Sequence, residues 1–400
     1  MAIDTLTAGE GETINDAYGE HFVRGHLLEK HIDHSFRNGL GRGVWDGVTA
    51  LYYRTEPVAA SNYRFYPGAQ SSGFTDPVQG RDPKFPNSQT FSGTANIVYI
   101  APEGTTETDP AELQGRYRCR QIADYDMEGN PVGTGFSSNP ARIAVHQMIV
   151  EADISASRID WASWYNWRVY CDTAIEWNDG KSVRNIKRFE SHVAFTGPTT
   201  LPETLNMLTD MTASYWQDDG QFYRFFPVTS RSAVAAFDET NIVQGTFEHS
   251  QIDIRNQPTY ITINFRDLDS DYLAPAVWTH KNLEGIAQRG VIPTPGSFQF
   301  GAMYYSQAQR LAKYWLRRAA DYPQRVTFET TGAEIAVLPG DLVTVAHPSL
   351  NTVGLWHVME TEDQASGADS RRLVLGGPWD DPGTVYNDQD HEPIPATLAA

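Results

Sequence analysis

A mainly β fold with an α+β middle module is predicted for this chain, and three observations predict it. Short apolar runs are separated by turn-forming residues, with 32 Gly and 23 Pro among 400 residues, the punctuation of strands and loops. The stretch PTYITINFRD alternates with period two, placing Ile261, Ile263 and Phe265 on one face and Thr262, Asn264 and Arg266 on the other. Helical spacing is confined to a few stretches beyond residue 138.

Residues 1–135 read as a first β domain. GVWDGVTALYYRTEPV begins with turn glycines and continues as an apolar run suited to a strand. The Gly/Pro/Asn/Asp/Ser-dense stretch that follows is a long loop or insertion near 69–100. TANIVYIAPEG returns to strand, as does GRYRCRQIADYDMEGNPVG.

Residues 136–245 form a mixed helix and hairpin module. Asn139 caps and Pro140 starts a first helix, Asp160 caps a second running to Trp177, and Pro202 opens a third. Asp219-Gly220 between apolar runs signals a hairpin. Residues 246–378 form a second β domain with a flanking helix, SQAQRLAKYWLRRAADY, whose Ala308, Leu311, Ala312, Trp315, Leu316 and Ala319 make one apolar stripe. Strands follow in RVTFETT, LVTVAHP, LWHVMETE and RRLVLGG, with LPGD as a turn, and 379–400 is an extended C-terminal tail.

The chemistry-bearing candidates each have a plainer reading. HLLEKHIDH gathers His26, His31 and His34, but on a helix His26 and His31 diverge by about 140°, and on a strand His26 and His34 stand roughly 26 Å apart. No metal is expected there. DLDSDY opens like a calcium loop with Asp267, Asp269 and Asp271, yet Tyr272 and Trp278 stand where Gly and Glu are needed, so a hairpin turn is expected. Trp161, Trp164, Arg168, Cys171 and Ile175 follow the helical spacing of one face, and this stripe, with Trp167 in the same tryptophan-rich stretch, is suited to stacking sugars or to a helix core. The acid pairs Asp218-Asp219 and Asp380-Asp381 sit in turn-like contexts. Phosphate-binding loops, the nucleophile elbow and the C-x-x-C motif do not occur. Catalytic, cofactor-binding and metal-ligating residues are therefore assigned to none, and no cofactor is expected.

A net charge of −19 and a pI near 4.9 exclude a phosphate-gripping surface. No apolar run is long enough for an integral membrane segment, and the first residues lack the features of a secretory signal. Cys119 and Cys171 are expected as reduced thiols.

The ordered series SNPA (138–141), CDTAIEW (171–177), RFESHVAF (188–195), LPETLNMLTDM (201–211), NQPTYITINFRDLDSDY (256–272), SQAQRLAKYWLRRA (306–319) and AVLPGDLVTVAHP (336–348) resembles the central tail-hub proteins of tailed bacteriophages, the tip attachment (J-like) proteins and their baseplate-hub relatives. The resemblance implies two β-barrels like tail-tube subunits in each chain, a homotrimer with a pseudo-sixfold ring, and a virion location at the distal end of the tail. It implies as partners a distal tail or tube protein, the tape measure protein C-terminus and a tail fibre or tip protein, with DNA passing through without specific binding. Acidic walls suit such a conduit, because they repel a polyanion. The chain stops at residue 400, short of the downstream modules that contact a host receptor in the longer J-like proteins, so a separate fibre or tip protein is expected to do so. Ile261, Ile263 and Phe265 are expected as barrel core, Leu338 to Asp341 as a strand-connecting turn, and Leu311 and Trp315 as helix-docking residues. The alternative is a virion-associated glycan binder or glycan hydrolase resting on the tryptophan stripe and acid pairs.

Overall fold

In the computed structural model, residues 16–30, 35–69, 93–195, 199–229, 231–251, 253, 257–269, 275–294, 298–321, 324–331, 337–350, 353–363, 370–379 and 386–391 are described. The chain is mainly β with a few helices.

The first β module is built from two sheets. Leu113–Tyr125 is the long central strand of a five-stranded sheet, flanked by Trp45–Tyr53 and Pro131–Phe136, with Glu20–Val23 also paired to it. The four-stranded sheet runs His26–Lys30, Phe36–Arg42, Thr94–Tyr99, Tyr63–Tyr66. Alternating side chains of both sheets meet in one core, where Phe36, Trp45, Ile97, Tyr117 and Cys119 are fully buried.

Five α-helices follow among the described residues. Helix α1, Pro140–His146, starts where Asn139 Oδ1 accepts from the Ala141 and Arg142 amides. It is prolonged by a π turn over Gln147–Glu151. Helix α2, Trp161–Asp172, is capped by Asp160. Helix α3, Leu201–Asp210, carries a capping box in which Thr200 and Glu203 satisfy each other's amides. Helix α4, Leu283–Arg289, is short, and helix α5, Tyr305–Asp321, is the longest.

Helix α2 ends five residues before its expected end at Trp177. Residues 174–178 are instead a strand, Ala174–Asn178, paired with Val183–Lys187. The reason is burial: Ile175 and Trp177 point inward on alternate positions, which an extended chain achieves and a helix does not. A second hairpin, Ser214–Asp218 with Tyr223–Pro227, turns at Asp219-Gly220.

The hydrophobic cores group the second half of the chain by packing, not by sequence order. Ile261, Ile263 and Phe265, on the strand Tyr260–Asp267, are buried against Tyr305, Ala308 and Leu311 of α5 and share one core with α1, α2 and α3. Phe237, Ile242, Val326, Phe328, Val343, Trp356 and Leu373 make a separate core. Its six-stranded sheet runs Ala235–Phe237, Leu342–Val345, Gly354–Asp363, Ser370–Trp379, Gln324–Thr331, Glu248–Gln251. The central core thus draws on both sides of the segment 235–251, and α5 lies inside it with Leu311 fully buried and Trp315 half-buried.

Candidate functional site

The sequence candidates resolve into structure. Trp164 is fully buried and its indole donates to the Ala141 carbonyl at 2.8 Å. Trp167 is fully buried, stacks on Phe225 at 4.9 Å and donates to Thr212 Oγ1 at 3.1 Å. Trp161 covers the edge of this core, 4.9 Å from the Tyr125 ring. Trp164 and Trp167 are thus helix core, with Trp161 half-buried at its edge.

Asp218 and Asp219 are held in the hairpin turn. Asp218 receives Arg158 Nη2 at 2.9 and 3.1 Å, while Asp219 pairs with Arg224 at 3.2 Å and accepts from the Gln221 and Phe222 amides. Asp267 accepts from the Asp269 amide, and Asp269 forms a two-point pair with Arg184. Asp271, His31, His34, Asp380 and Asp381 lie outside the described residues, and His26 sits on a strand opposite Gly39. Among the described residues, no group of three or more His, Cys, Asp or Glu converges for a metal. Cys119 and Cys171 are buried free thiols in different cores, each pushed above its usual pKa by burial.

What the fold brings together instead are three contact regions joining the modules. At the first, Asp16–Tyr18 pairs antiparallel with Val193–Phe195. Beside it Arg120 Nη1 donates to Asp16 Oδ1 at 2.9 Å and Glu151 Oε1 at 2.8 Å, and Gln147 donates to the Tyr18 hydroxyl at 2.8 Å. Burial raises the Asp16 pKa, with Arg120 opposing it and Glu151 adding to it. His192 is buried and accepts the Glu20 amide at Nδ1, 2.7 Å. Burial, with His21 and Arg116 nearby, holds its pKa far below the usual value, so it serves as a neutral acceptor.

The second region joins the central core to the C-terminal β module. Leu338–Asp341 is a turn closed by Leu338 N to Asp341 Oδ2 at 2.9 Å and Asp341 N to Leu338 O at 3.0 Å. Tyr215 donates from its hydroxyl to the Gly340 carbonyl at 2.7 Å, and Arg231 binds both the hydroxyl and that carbonyl. Gly340 has φ +98°, and a Cβ there would lie 2.7 Å from the Phe226 ring. The buried His357 ring meets Tyr215 edge-on at 4.4 Å. Burial, then the Arg318 and Arg231 charges, hold its pKa down to about 3. A cleft of about 590 Å³ opens here, lined by Trp216, Asp218, Arg318, Gly340, Glu360 and Arg371 among others.

The third region is the segment 386–391, which docks on the central core although an extended tail was expected there. Tyr386 is buried among Phe189, Tyr170 and Tyr314, with ring centroids 5.2, 6.4 and 6.1 Å away. Asp388 receives Arg188 at 2.9 and 2.7 Å, and Asp390 pairs with Arg317. Sequence reasoning passed over this site, although Tyr386 is an aromatic residue set among acids, a visible anchor signal.

Comparison with known proteins adds to this geometry. Residues 203–361 match the family model Phage-tail_3, described as putative phage tail protein. No curated protein matches the chain. A chain from the virion of a native gene transfer agent particle is similar in structure, with TM-score 0.70 and 16% identity over 98% of this chain and 91% of that chain. A tail protein from Neisseria meningitidis matches at TM-score 0.36 and 11% identity, covering 94% of this chain and 99% of that one. A prophage MuSo2 tail protein from Shewanella oneidensis gives 0.34 and 11%, covering 94% and 98%. The fold over nearly the whole chain is thus that of the gene transfer agent virion chain, and the segment spanning the second contact region is similar to a putative phage tail protein family.

Proposed function

We propose that this chain is a structural component of a phage tail or a related gene-transfer particle, and that it acts as a hub at the distal end of the tail tube. In this reading three copies form a ring that closes the tube, connects to neighbouring tail proteins and opens for DNA ejection. The observation that carries it is the tail-family match over 203–361, which spans the contact region between the helical core and the C-terminal β module. The fold likeness to a virion chain over 98% of the sequence supports the same reading.

The mechanism is assembly. Two β modules with separate cores pack beside one helical core, and in this reading each copy contributes both modules to the ring. The expected partners remain a tube protein, the tape measure protein C-terminus and a fibre or tip protein. The net charge of −19 suits a conduit that does not hold DNA. Catalysis forms no part of this reading, and the burial of Trp164 and Trp167 speaks against the glycan alternative.

Light scattering on the purified chain tests the reading. Three copies of 44.7 kDa give about 134 kDa. A species of that mass, or ring formation with a tube protein seen by electron microscopy, is the expected result. A chain that stays monomeric and also leaves tail tubes unbound overturns it.

A further inference from the structure

Segment 386–391 follows the last strand of the C-terminal sheet, Ser370–Trp379, and reaches back to the central core. Among the described residues, the hydrogen bonds crossing from this segment to the core are all made by side chains: Arg188 to Asp388, Arg310 to the Tyr386 hydroxyl, Arg317 to Asp390, and Ser306 with His391. The segment's own turn is closed internally, by Asp390 N to Asn387 O at 3.2 Å and Gln389 N to Asn387 Oδ1 at 3.0 Å. It is therefore a self-contained ligand, read at alternate positions, with Asn387 and Gln389 facing solvent.

The socket carries charge that its occupant answers. Arg310 is fully buried on α5, and its guanidinium donates to Ser306 Oγ at 3.2 Å and to the Arg188 carbonyl at 2.7 Å. Its ion-pair partner is Asp388 of the segment, at 4.0 Å. If the segment leaves, a buried cation loses its counter-charge and an aromatic slot beside it empties. Both are costly conditions that favour refilling by the same chemistry.

We propose that this socket is a peptide-recognition site for an acidic, tyrosine-bearing segment of the pattern Tyr-x-Asp-x-Asp, that residues 386–391 occupy it in cis, and that a partner chain bearing such a segment takes it in trans by displacing them. The buried ring supplies the anchor, and the three arginines supply the reading of charge at two fixed spacings. The proposal does not depend on the hub reading, since it concerns a contact within one chain.

The test uses the full chain with a site-specific protease sequence replacing residues 380–385. After cleavage, a fluorescein-labelled peptide of residues 384–393 is added in excess and its incorporation followed by anisotropy. The expected result is stoichiometric exchange. Peptides carrying Tyr386→Ala or Asp390→Asn, and a chain carrying Arg317→Gln, should bind roughly tenfold more weakly or worse, the effect of one anchor or charge-assisted contact. Arg325→Gln, on a strand of the other core, should leave binding unchanged. Three results overturn the proposal: a cleaved fragment that does not exchange, a scrambled peptide of the same composition that binds equally well, or loss of native circular dichroism when the fragment leaves. The last would make the segment a permanent part of the core.

Discussion

Replacing Gly340 by alanine measures how tightly the C-terminal β module is seated on the central core. The residue has φ +98°, where any side chain costs roughly 1–2 kcal/mol. Its Cβ would also stand 2.7 Å from Phe226 Cε2 and 2.9 Å from Tyr215 Cε2, inside the closest approach of real carbon contacts. Those rings are stacked on each other at 5.2 Å, and the Tyr215 hydroxyl is tied to the Gly340 carbonyl. Neither ring can yield freely, so overpacking adds about 1–3 kcal/mol. The matched control is Gly220→Ala in the hairpin turn, with φ +87° and open space around the added carbon, which carries the strain cost alone. Native-state hydrogen exchange reads local opening free energies without assuming that the whole chain unfolds in one step. Gly220→Ala should lower protection only in the hairpin 214–227, by about 1–2 kcal/mol. Gly340→Ala should lower it in the hairpin and in Leu342–Val345, by about 2–5 kcal/mol. Equal losses from the two variants, or no change at Leu342–Val345, would refute the seating of the turn against the hairpin.

Trp167→Ala should cost about 3–5 kcal/mol in urea unfolding, because its ring is fully buried on Phe225; a loss below ~1 kcal/mol would show that α2 is not packed as described. Burial raises the Asp210 carboxyl to about 6, with Arg318 opposing. A raised acid costs nothing where both states are protonated, and the cost grows as pH rises from the unfolded value near 3.8 to about 6. Asp210→Asn should therefore stabilise the chain at pH 8, by about 3 kcal/mol, with the gain vanishing toward pH 4; a gain independent of pH sinks the assignment. Arg120→Gln removes the nearer of the two arginines that Asp16 and Glu151 share, leaving Arg42 at 3.6 and 3.5 Å. It should lower stability by about 1–3 kcal/mol at neutral pH and by less at pH 4, as thermal melts at both pH values can check.

Much of the fold was legible because burial in it follows simple periods. The alternation of Ile261, Ile263 and Phe265 appears as inward burial on one strand, and the caps at Asn139 and Asp160 start their helices. The end of α2 was not legible, because Ile175 satisfies both a helical stripe from Cys171 and a two-residue alternation with Trp177. Helix α4 was passed over although Asn282 caps it and Gly290 follows it. Its seven residues bury little, and only capping chemistry marks it. The grouping of residues 257–321 with the first three helices could not be read at all, since apolar faces do not say which partner they meet. The charge pairing at the contact regions was not legible for a related reason: Arg120, Arg231 and Arg310 each gain a partner from far along the chain, 31, 109 and 122 residues away, and no local pattern encodes that.

The order of strands in the C-terminal sheet has a consequence for synthesis. Ala235–Phe237 lies parallel to Leu342–Val345, with Ala235 opposite Val343, and Glu248–Gln251 pairs with Gln324–Thr331. Both early strands leave the ribosome long before their partners exist, and at roughly 5–20 residues per second the wait for the later strand is of the order of 5–20 s. During that interval the helical core is also open, because α5 has yet to be made. A nascent chain of this kind exposes Phe237, Ile261, Ile263 and Phe265 together, which makes chaperone capture of the growing chain, and slow release after termination, the expected course of its biogenesis.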